Sequence, residues 1–179
     1  MSALPSVDRV RRGVGMLRAS FVLRECAIGE RVSVRGRLIV CADGRVRIGD
    51  RVQFAEGMFG SELICEEDAD LAIGDETVLN YGVSIRARAR VCIGRRCLIA
   101  SLVTIRDHDG RRIAPIVIED DAWIAHGAAI EPGVTVGRGG IVSAGSVVYE
   151  DVPPGYLAIG NPATMLPIDA VRGRSPRRG

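Results

Sequence analysis

Lysine is absent: the chain's 24 basic residues are all arginine. Aromatic side chains make up only 4% of its 179 residues, which disfavours a core built on large rings and suits one of stacked aliphatic and small residues. The formal net charge is +2, so there is no whole-chain case for nucleic-acid binding. Histidine occurs twice, at His108 and His126, and the cysteines form no CxxC pair, which argues against a zinc site within one chain. HExxH, GxSxG, P-loop and dinucleotide-binding patterns are all missing. The five cysteines are odd in number and scattered, which argues against a disulfide framework, and Cys97, four after Ile93, reads better as a buried structural thiol. The opening MSALPSVDRVRR has no apolar run of signal-peptide length, and no stretch approaches the ~20 apolar residues that cross a bilayer. A cytoplasmic location is the expectation.

What the chain does contain is a six-residue phrase. From Ile118 an aliphatic residue recurs at Ile124, Ile130, Val136, Val142 and Val148, and four positions after each head stands a small or apolar residue: Ala122, Ala128, Val134, Gly140, Ser146. A period of six matches neither a 3.6-residue helix nor a long alternating strand; it matches a parallel β-helix in which each phrase is one short strand and a turn. The same phrase heads at Ile28, Val34, Ile48, Phe54, Ile73, Leu79, Ile85, Ile93, Ile99 and Ile105. It blurs over 40–47 and 60–72 and slips at 91–92, which are expected to be corner insertions extruded as loops. If three phrases close a turn, residues eighteen apart stack, placing His126 one coil from Ala144 on the outside.

Around this repeat, residues 5 to about 24 read as one helix, with Val7, Val10, Val14, Leu17 and Phe21 forming an apolar stripe among arginines. It is expected to cap the first coil, the alternative being a basic amphipathic helix on a membrane surface. Domain bounds follow: a cap over 1–25, the β-helix over 26–150 with a loop at 106–117, and an extension over 151–179, disordered from about 172. Pro153–Pro154 is expected to end the coil.

Between the heads Ile105 and Ile118 no phrase fits, and this excursion carries Asp107-His108-Asp109. An imidazole suits proton abstraction from a hydroxyl at neutral pH, and a flanking carboxylate orients the ring. A solvated loop histidine is the competing reading; for His126, inside a regular phrase, a plain surface position is favoured.

The run IEDDAWIAHGAAIEPGVTVGRGGIVSAGSVVYEDVPPGYLAIGNPA, with Trp123-Ile124-Ala125, Pro132-Gly133, Ala144-Gly145-Ser146, Asp151-Val152-Pro153-Pro154 and Gly160-Asn161-Pro162-Ala163, resembles the C-terminal signature of the hexapeptide-repeat acyltransferases, and among them the maltose, galactoside and polysaccharide-biosynthesis O-acetyltransferases. The resemblance covers roughly 28–165. It implies a left-handed parallel β-helix, an exception to the right-handed crossover rule. It further implies homotrimers with active sites between subunits, acetyl-CoA as cosubstrate in an outer groove, no metal, and His108 as general base acting on a sugar hydroxyl. By the same resemblance Asn80, Asp107 and Trp123 attend the acceptor, and Ala125, His126 and Ala144 line the pantetheine groove. Two departures stand out. Arg88 occupies the position of an acidic residue, which argues against a simple galactoside or maltose acceptor. The ending Asn161-Pro162-Ala163-Thr164-Met165 lacks the basic residues that meet CoA phosphates; either Arg138 takes over that role or it is a solvated turn residue. N-acyl transfer to an amino-sugar nucleotide and a non-catalytic trimeric scaffold are the alternatives, and peripheral membrane association through the first helix is carried with them. A γ-type carbonic anhydrase would need three zinc histidines and is set aside.

Overall fold

The computed structural model describes residues 7–172, with side chains from 13 to 170. After helix α1 (Val7–Val22) the chain winds into a three-sided prism. Coil one holds β1 (Ala27–Ile28), β2 (Ser33–Val34) and β3 (Leu38–Ala42); coil two holds β4 (Arg45–Ile48), β5 (Gln53–Phe54) and β6 (Ser61–Cys65). Coils three and four follow as β7 (Asp70–Ile73), β8 (Val78–Leu79), β9 (Ser84–Ala87), and β10 (Arg90–Ile93), β11 (Leu98–Ile99), β12 (Thr104–Arg106). Coils five and six are β13 (Ile116–Ile118), β14 (Trp123–Ile124), β15 (Ala129–Ile130), and β16 (Thr135–Val136), β17 (Ile141–Val142), β18 (Val147–Val148). Every third strand shares a face, and neighbours on a face pair in parallel.

The repeat is built as the six-residue spacing predicts. Every head from Ile118 to Val148 is fully buried, as are the small slots Ala122, Ala128, Val134 and Ser146. Each buried Ile or Val contributes about 1.5–3 kcal/mol, and the small slots leave room for the heads of the adjoining faces. Cys97 is buried as expected, and its thiol is pushed up by that burial.

Three expectations are corrected. The eighteen-residue stack holds only for the last pair of coils, Ile118↔Val136 and Ile124↔Val142; below it the offsets are 20 and 25 on the first two faces, as in Ile73↔Ile93 and Ile93↔Ile118, and also 23 and 22 on the third, as in Leu38↔Ser61 and Leu63↔Ile85. The surplus residues of the blurred stretches are largely taken into longer strands, β3, β4, β6, β7, β9 and β10, meeting at the corner between the third and first faces, rather than thrown out as loops. That same corner carries the excursion, whose ends are tighter than expected because Arg106 belongs to β12 and Ile116–Val117 to β13.

The coil also does not stop at Pro153–Pro154. Val152 bridges Val136 on the first face, and β19 (Tyr156–Gly160) adds to the second face through Ile141↔Leu157 and Val142↔Ala158. The prolines sit in the intervening corner, where a missing N–H removes no strand hydrogen bond. β20 (Ala163–Pro167) then folds back antiparallel on β19, covering an edge that would otherwise be open, and α2 (Ile168–Arg172) follows. The expected disorder beyond about 172 lies outside the described residues.

Helix α1 does cap the first coil, packing on β2 and β3. It does so with the opposite face from the one its apolar stripe suggests. Gly15, Ala19 and Leu23 are buried, while Val14, Leu17 and Phe21 are exposed. Small residues let the helix backbone approach the coil closely: a Cβ on Gly15 would meet Ser33 at 3.4 Å. Val7 and Val10 fall outside the described side chains.

A candidate catalytic corner

The excursion after β12 is a small hairpin. His108 bridges Ile113 antiparallel, the Asp109 amide bonds the Arg112 carbonyl, and the Ala114 amide returns to the Asp107 carbonyl. The Asp109 carboxylate accepts the amides of Arg111 and Arg112 and closes the turn. Arg112 in turn donates to the Pro132 carbonyl at 2.7 Å, tying the tip to the next coil.

Asp107 is completely buried. One carboxylate oxygen accepts the Arg88 amide at 2.8 Å and lies 3.1 Å from His108 Nδ1; the other accepts the Ala89 and Arg90 amides at 2.8 Å each. Burial alone would raise this carboxyl, but the Ala89 and Arg88 amides, the His108 ring and the Arg90 amide outweigh it and hold its pKa below the ordinary value. An ionised carboxylate only accepts, so His108 Nδ1 carries the proton of the neutral ring and Nε2 keeps its lone pair. Asp107 therefore stands behind the imidazole, with its oxygens committed to ring and backbone, rather than facing an acceptor.

His108 lines a depression of about 380 Å³ with Ser84, Arg86, Thr104, Arg106 and Asp109. Ser84 and Thr104 are paired in register, as are Arg86 and Arg106. Glu62 gathers the lower rim: Ser84 Oγ donates to it at 2.6 Å and Arg86 at 2.9 and 3.0 Å. The serine hydrogen bond, opposed by burial and aided by Arg86, lowers the Glu62 pKa. Sequence reading passed over these four lining residues, although each flanks the heads Ile85 and Ile105 in the same way. Arg88 is held outside by Glu66 at 2.8 Å.

The remaining expected site residues are spread over other corners. Asn80 follows β8 at the corner between the second and third faces, and its side-chain oxygen accepts the Tyr81 amide at 2.9 Å. A strand of the third face lies between it and His108, a separation of roughly 10 Å or more. Trp123 opens β14 and faces outward from the second face between Leu98 and Ile141, half exposed. One chain does not bring Asn80, Trp123 and His108 together.

Ala125, His126 and Ala144 do assemble, at the corner that Asn80 shares. The turns Ser101-Leu102, His126-Gly127 and Ala144-Gly145 stack, with the Gly127 amide on the Ser101 carbonyl and the Gly145 amide on the His126 carbonyl. His126 Nδ1 lies 2.8 Å from Ser101 Oγ, a partner the sequence reading did not name. Arg138 belongs to a different corner, between the first and second faces, where its guanidinium pairs with Asp120 at 3.4 Å and Asp121 at 3.9 Å. It is not part of the column of Ala125, His126 and Ala144, and it shares its two carboxylates with Arg95 and Arg96.

With this geometry in place, comparison with known proteins is informative. The family model for bacterial transferase hexapeptide repeats (six repeats) matches residues 115–150. The galactoside O-acetyltransferase of Escherichia coli is 32% identical over 109 residues, covering 55% of this chain and 54% of that enzyme. The hexapeptide-repeat acetyltransferase VCA0836 of Vibrio cholerae, solved with acetyl-coenzyme A, is 26% identical over 92% of this chain and 89% of its own, with a TM-score of 0.56. The PerB protein of Caulobacter crescentus, solved with CoA and GDP-perosamine, is 25% identical over 88% and 65%, with a TM-score of 0.60. The chain spans 58% or less of the length of the curated relatives it matches. Residues 115–150 thus carry hexapeptide repeats, and the chain is similar in sequence and fold to acetyltransferases built on such repeats.

Proposed function

We propose that the protein is an acetyl-CoA-dependent acetyltransferase that esterifies a hydroxyl of a sugar in a polysaccharide or glycolipid precursor. The observation that carries this reading is the His108–Asp107 pair: a histidine at the lip of a polar depression, its Nδ1 held by a buried carboxylate, its Nε2 left basic. Nε2 takes the proton of the acceptor hydroxyl as the oxygen attacks the thioester carbonyl carbon. The tetrahedral intermediate collapses by breaking the carbon–sulfur bond, and the departing CoA sulfur receives the proton from the imidazolium. An acetyl ester and free CoA result. A base of this kind contributes about 10²–10⁴-fold, with positioning and oxyanion stabilisation supplying more.

Asn80 and Trp123 enter this reading through a second copy of the chain. Their corners lie away from His108 within one chain, and a homotrimer with sites at its seams supplies them from a neighbour. The stacked corner of Ala125, His126 and Ala144 is the proposed wall for the pantetheine arm: Gly127 and Gly145 have nothing within 4 Å of a built Cβ, so the column presents bare backbone. Among the described residues no helix is long and apolar enough to cross a membrane.

Incubation with acetyl-CoA and a panel of sugars, read by mass spectrometry, tests the activity. His108→Ala should lower acetyl transfer by about 10²-fold or more; an unchanged rate would remove His108 from the chemistry. Mild base separates ester from amide products and so decides between O- and N-acetylation, the second being the reading that the similar perosamine N-acetyltransferase of Caulobacter crescentus favours. A scaffold without catalytic function would show no thermal shift with acetyl-CoA, whereas a ligand at 100 times its Kd adds about 2.7 kcal/mol.

A further inference from the structure

A second cavity, larger than the depression at His108, is bordered by described residues elsewhere. It lies beside α1 at the base of the second face, with a volume of about 580 Å³. Met16 comes from the helix, Arg31 and Arg51 from the corner between the first and second faces, Ser33 and Gln53 from the second face, and Arg35 from the corner beyond it. The lining thus offers three guanidiniums, a hydroxyl and an amide, and no carboxylate.

Most solenoid arginines are paired with an acid, although Arg37, Arg90, Arg111 and Arg112 have none among the described residues. Higher up, arginines are laddered to acids of an adjacent coil: Arg86 to Glu62, Arg88 to Glu66, Arg95 to Asp120 and Arg96 to Asp121. Arg51 is likewise paired with Glu76. Arg31 and Arg35 are not; neither has an ion-pair partner among the described residues. Arg31 stands directly below Arg51 in the same corner column, where the Arg51 amide bonds the Glu30 carbonyl. Their backbones lie one coil apart, about 4.8 Å, and of the two guanidiniums only that of Arg51 has a carboxylate partner among the described residues. Arg18 of α1 donates to the Arg35 carbonyl at 3.3 Å, tying the helix to the Arg35 corner.

We infer that this cleft is a binding site for the phosphate or diphosphate group of a phosphate ester. Planar guanidiniums converging from three segments match tetrahedral oxyanions in charge and in donor geometry. The volume leaves room for more than the anion, and Met16 supplies an apolar wall for what it carries. Val14, Leu17 and Phe21 are exposed on the same helix, so the ester is either a lipid headgroup or a soluble phosphate. The site is independent of the transfer chemistry assigned to His108.

Titration calorimetry of the full chain with inorganic pyrophosphate at low salt tests the inference. Wild type and R24Q should bind alike, since Arg24 contacts only Glu25 and lies outside the cleft. The double variant R31Q/R35Q should bind about tenfold or more weakly, with unchanged thermal unfolding, because both side chains are exposed and unpaired. No binding to wild type, or equal binding to the double variant, overturns the site. Co-sedimentation with phosphatidic acid vesicles, displaced by pyrophosphate, identifies a lipid headgroup; pyrophosphate binding without co-sedimentation identifies a soluble ester. Both of these outcomes support the oxyanion site.

Discussion

Replacing Asp107 with asparagine separates what this residue does for the fold from what it does for the imidazole. Four donors converge on two oxygens, and an amide offers only one oxygen. With that oxygen where the Ala89 and Arg90 amides are bound, the NH₂ group faces the Arg88 amide and His108 Nδ1. Reversed, it would face the other two amides, which leaves two buried N–H groups unsatisfied rather than one. The first orientation therefore wins, and its structural penalty is one orphaned buried amide, about 1–3 kcal/mol. Its chemical penalty is larger. A donor opposite Nδ1 forces the ring proton onto Nε2, and the lone pair that takes the acceptor's proton is gone. Tautomer reversal behind a histidine base costs up to ~10⁴ in rate.

The expected outcome is a folded variant with a modestly lower melting temperature and a transfer rate reduced 10²- to 10⁴-fold. Nitrogen-15 spectra report the tautomer directly, and a chain with two histidines keeps them readable. A variant that keeps a near wild-type rate, or whose His108 still carries its proton on Nδ1, would refute the orientation argument.

Other consequences follow from the same contacts. Asp107 is held below its ordinary value of 3.8, so its stabilisation is present above that value and is lost as pH falls through the lower folded pKa; urea unfolding from pH 5 to 3 should show a steeper loss in wild type than in Asp107→Asn. Gly145 sits at φ +67° with open space around a built Cβ, so Gly145→Ala should cost only ~1 kcal/mol of backbone strain. At Gly44 a Cβ would lie within 2.6 Å of the Glu66 and Ala69 carbonyls, and Gly44→Ala should cost roughly 3 kcal/mol by thermal unfolding. Leu23→Ala, at a fully buried site, should cost about 2–5 kcal/mol, whereas Phe21→Ser on the outer side of α1 should stay within ~0.5 kcal/mol; the reverse order would mean that α1 packs by its large apolar stripe.

The coil was legible because in a solenoid the local repeat is also the tertiary contact. Heads at Ile124, Ile130 and Val136 meet their copies on neighbouring coils and nothing more distant, so period alone locates the core. Register was less legible, since Asp43-Gly44 and Glu66–Ala69 form corners of different length and the offset between coils changes from 20 to 25 to 18. The packing side of α1 was hidden for another reason. Hydrophobic periodicity marks the stripe with the most apolar surface, but Gly15 and Ala19 win because their small size permits close approach. Arg138 could have been placed from the repeat itself: it lies eighteen residues after Asp120, within the one pair of coils where that spacing stacks. His108 was found because it breaks the repeat, and its buried partner because it stands next to it.

A prism of short parallel strands gives every coil the same outline, so irregular residues have to collect where the outline can open. Here they collect chiefly at the corner between the third and first faces. The Asp107 carboxylate fills that corner from inside, accepting the amides of Arg88, Ala89 and Arg90 from the coil beneath. The carboxylate that terminates the regular backbone pairing is thereby the group that orients the base. The same rigidity keeps Asn80 at another corner and Trp123 on the second face, since no flexing of two-residue strands moves a side chain across a face. If Asn80 and Trp123 serve the proposed transferase, they meet His108 only across a boundary between two copies of the chain. A seam that presents one copy's His108 to another's Asn80 corner builds a cleft that no single prism contains.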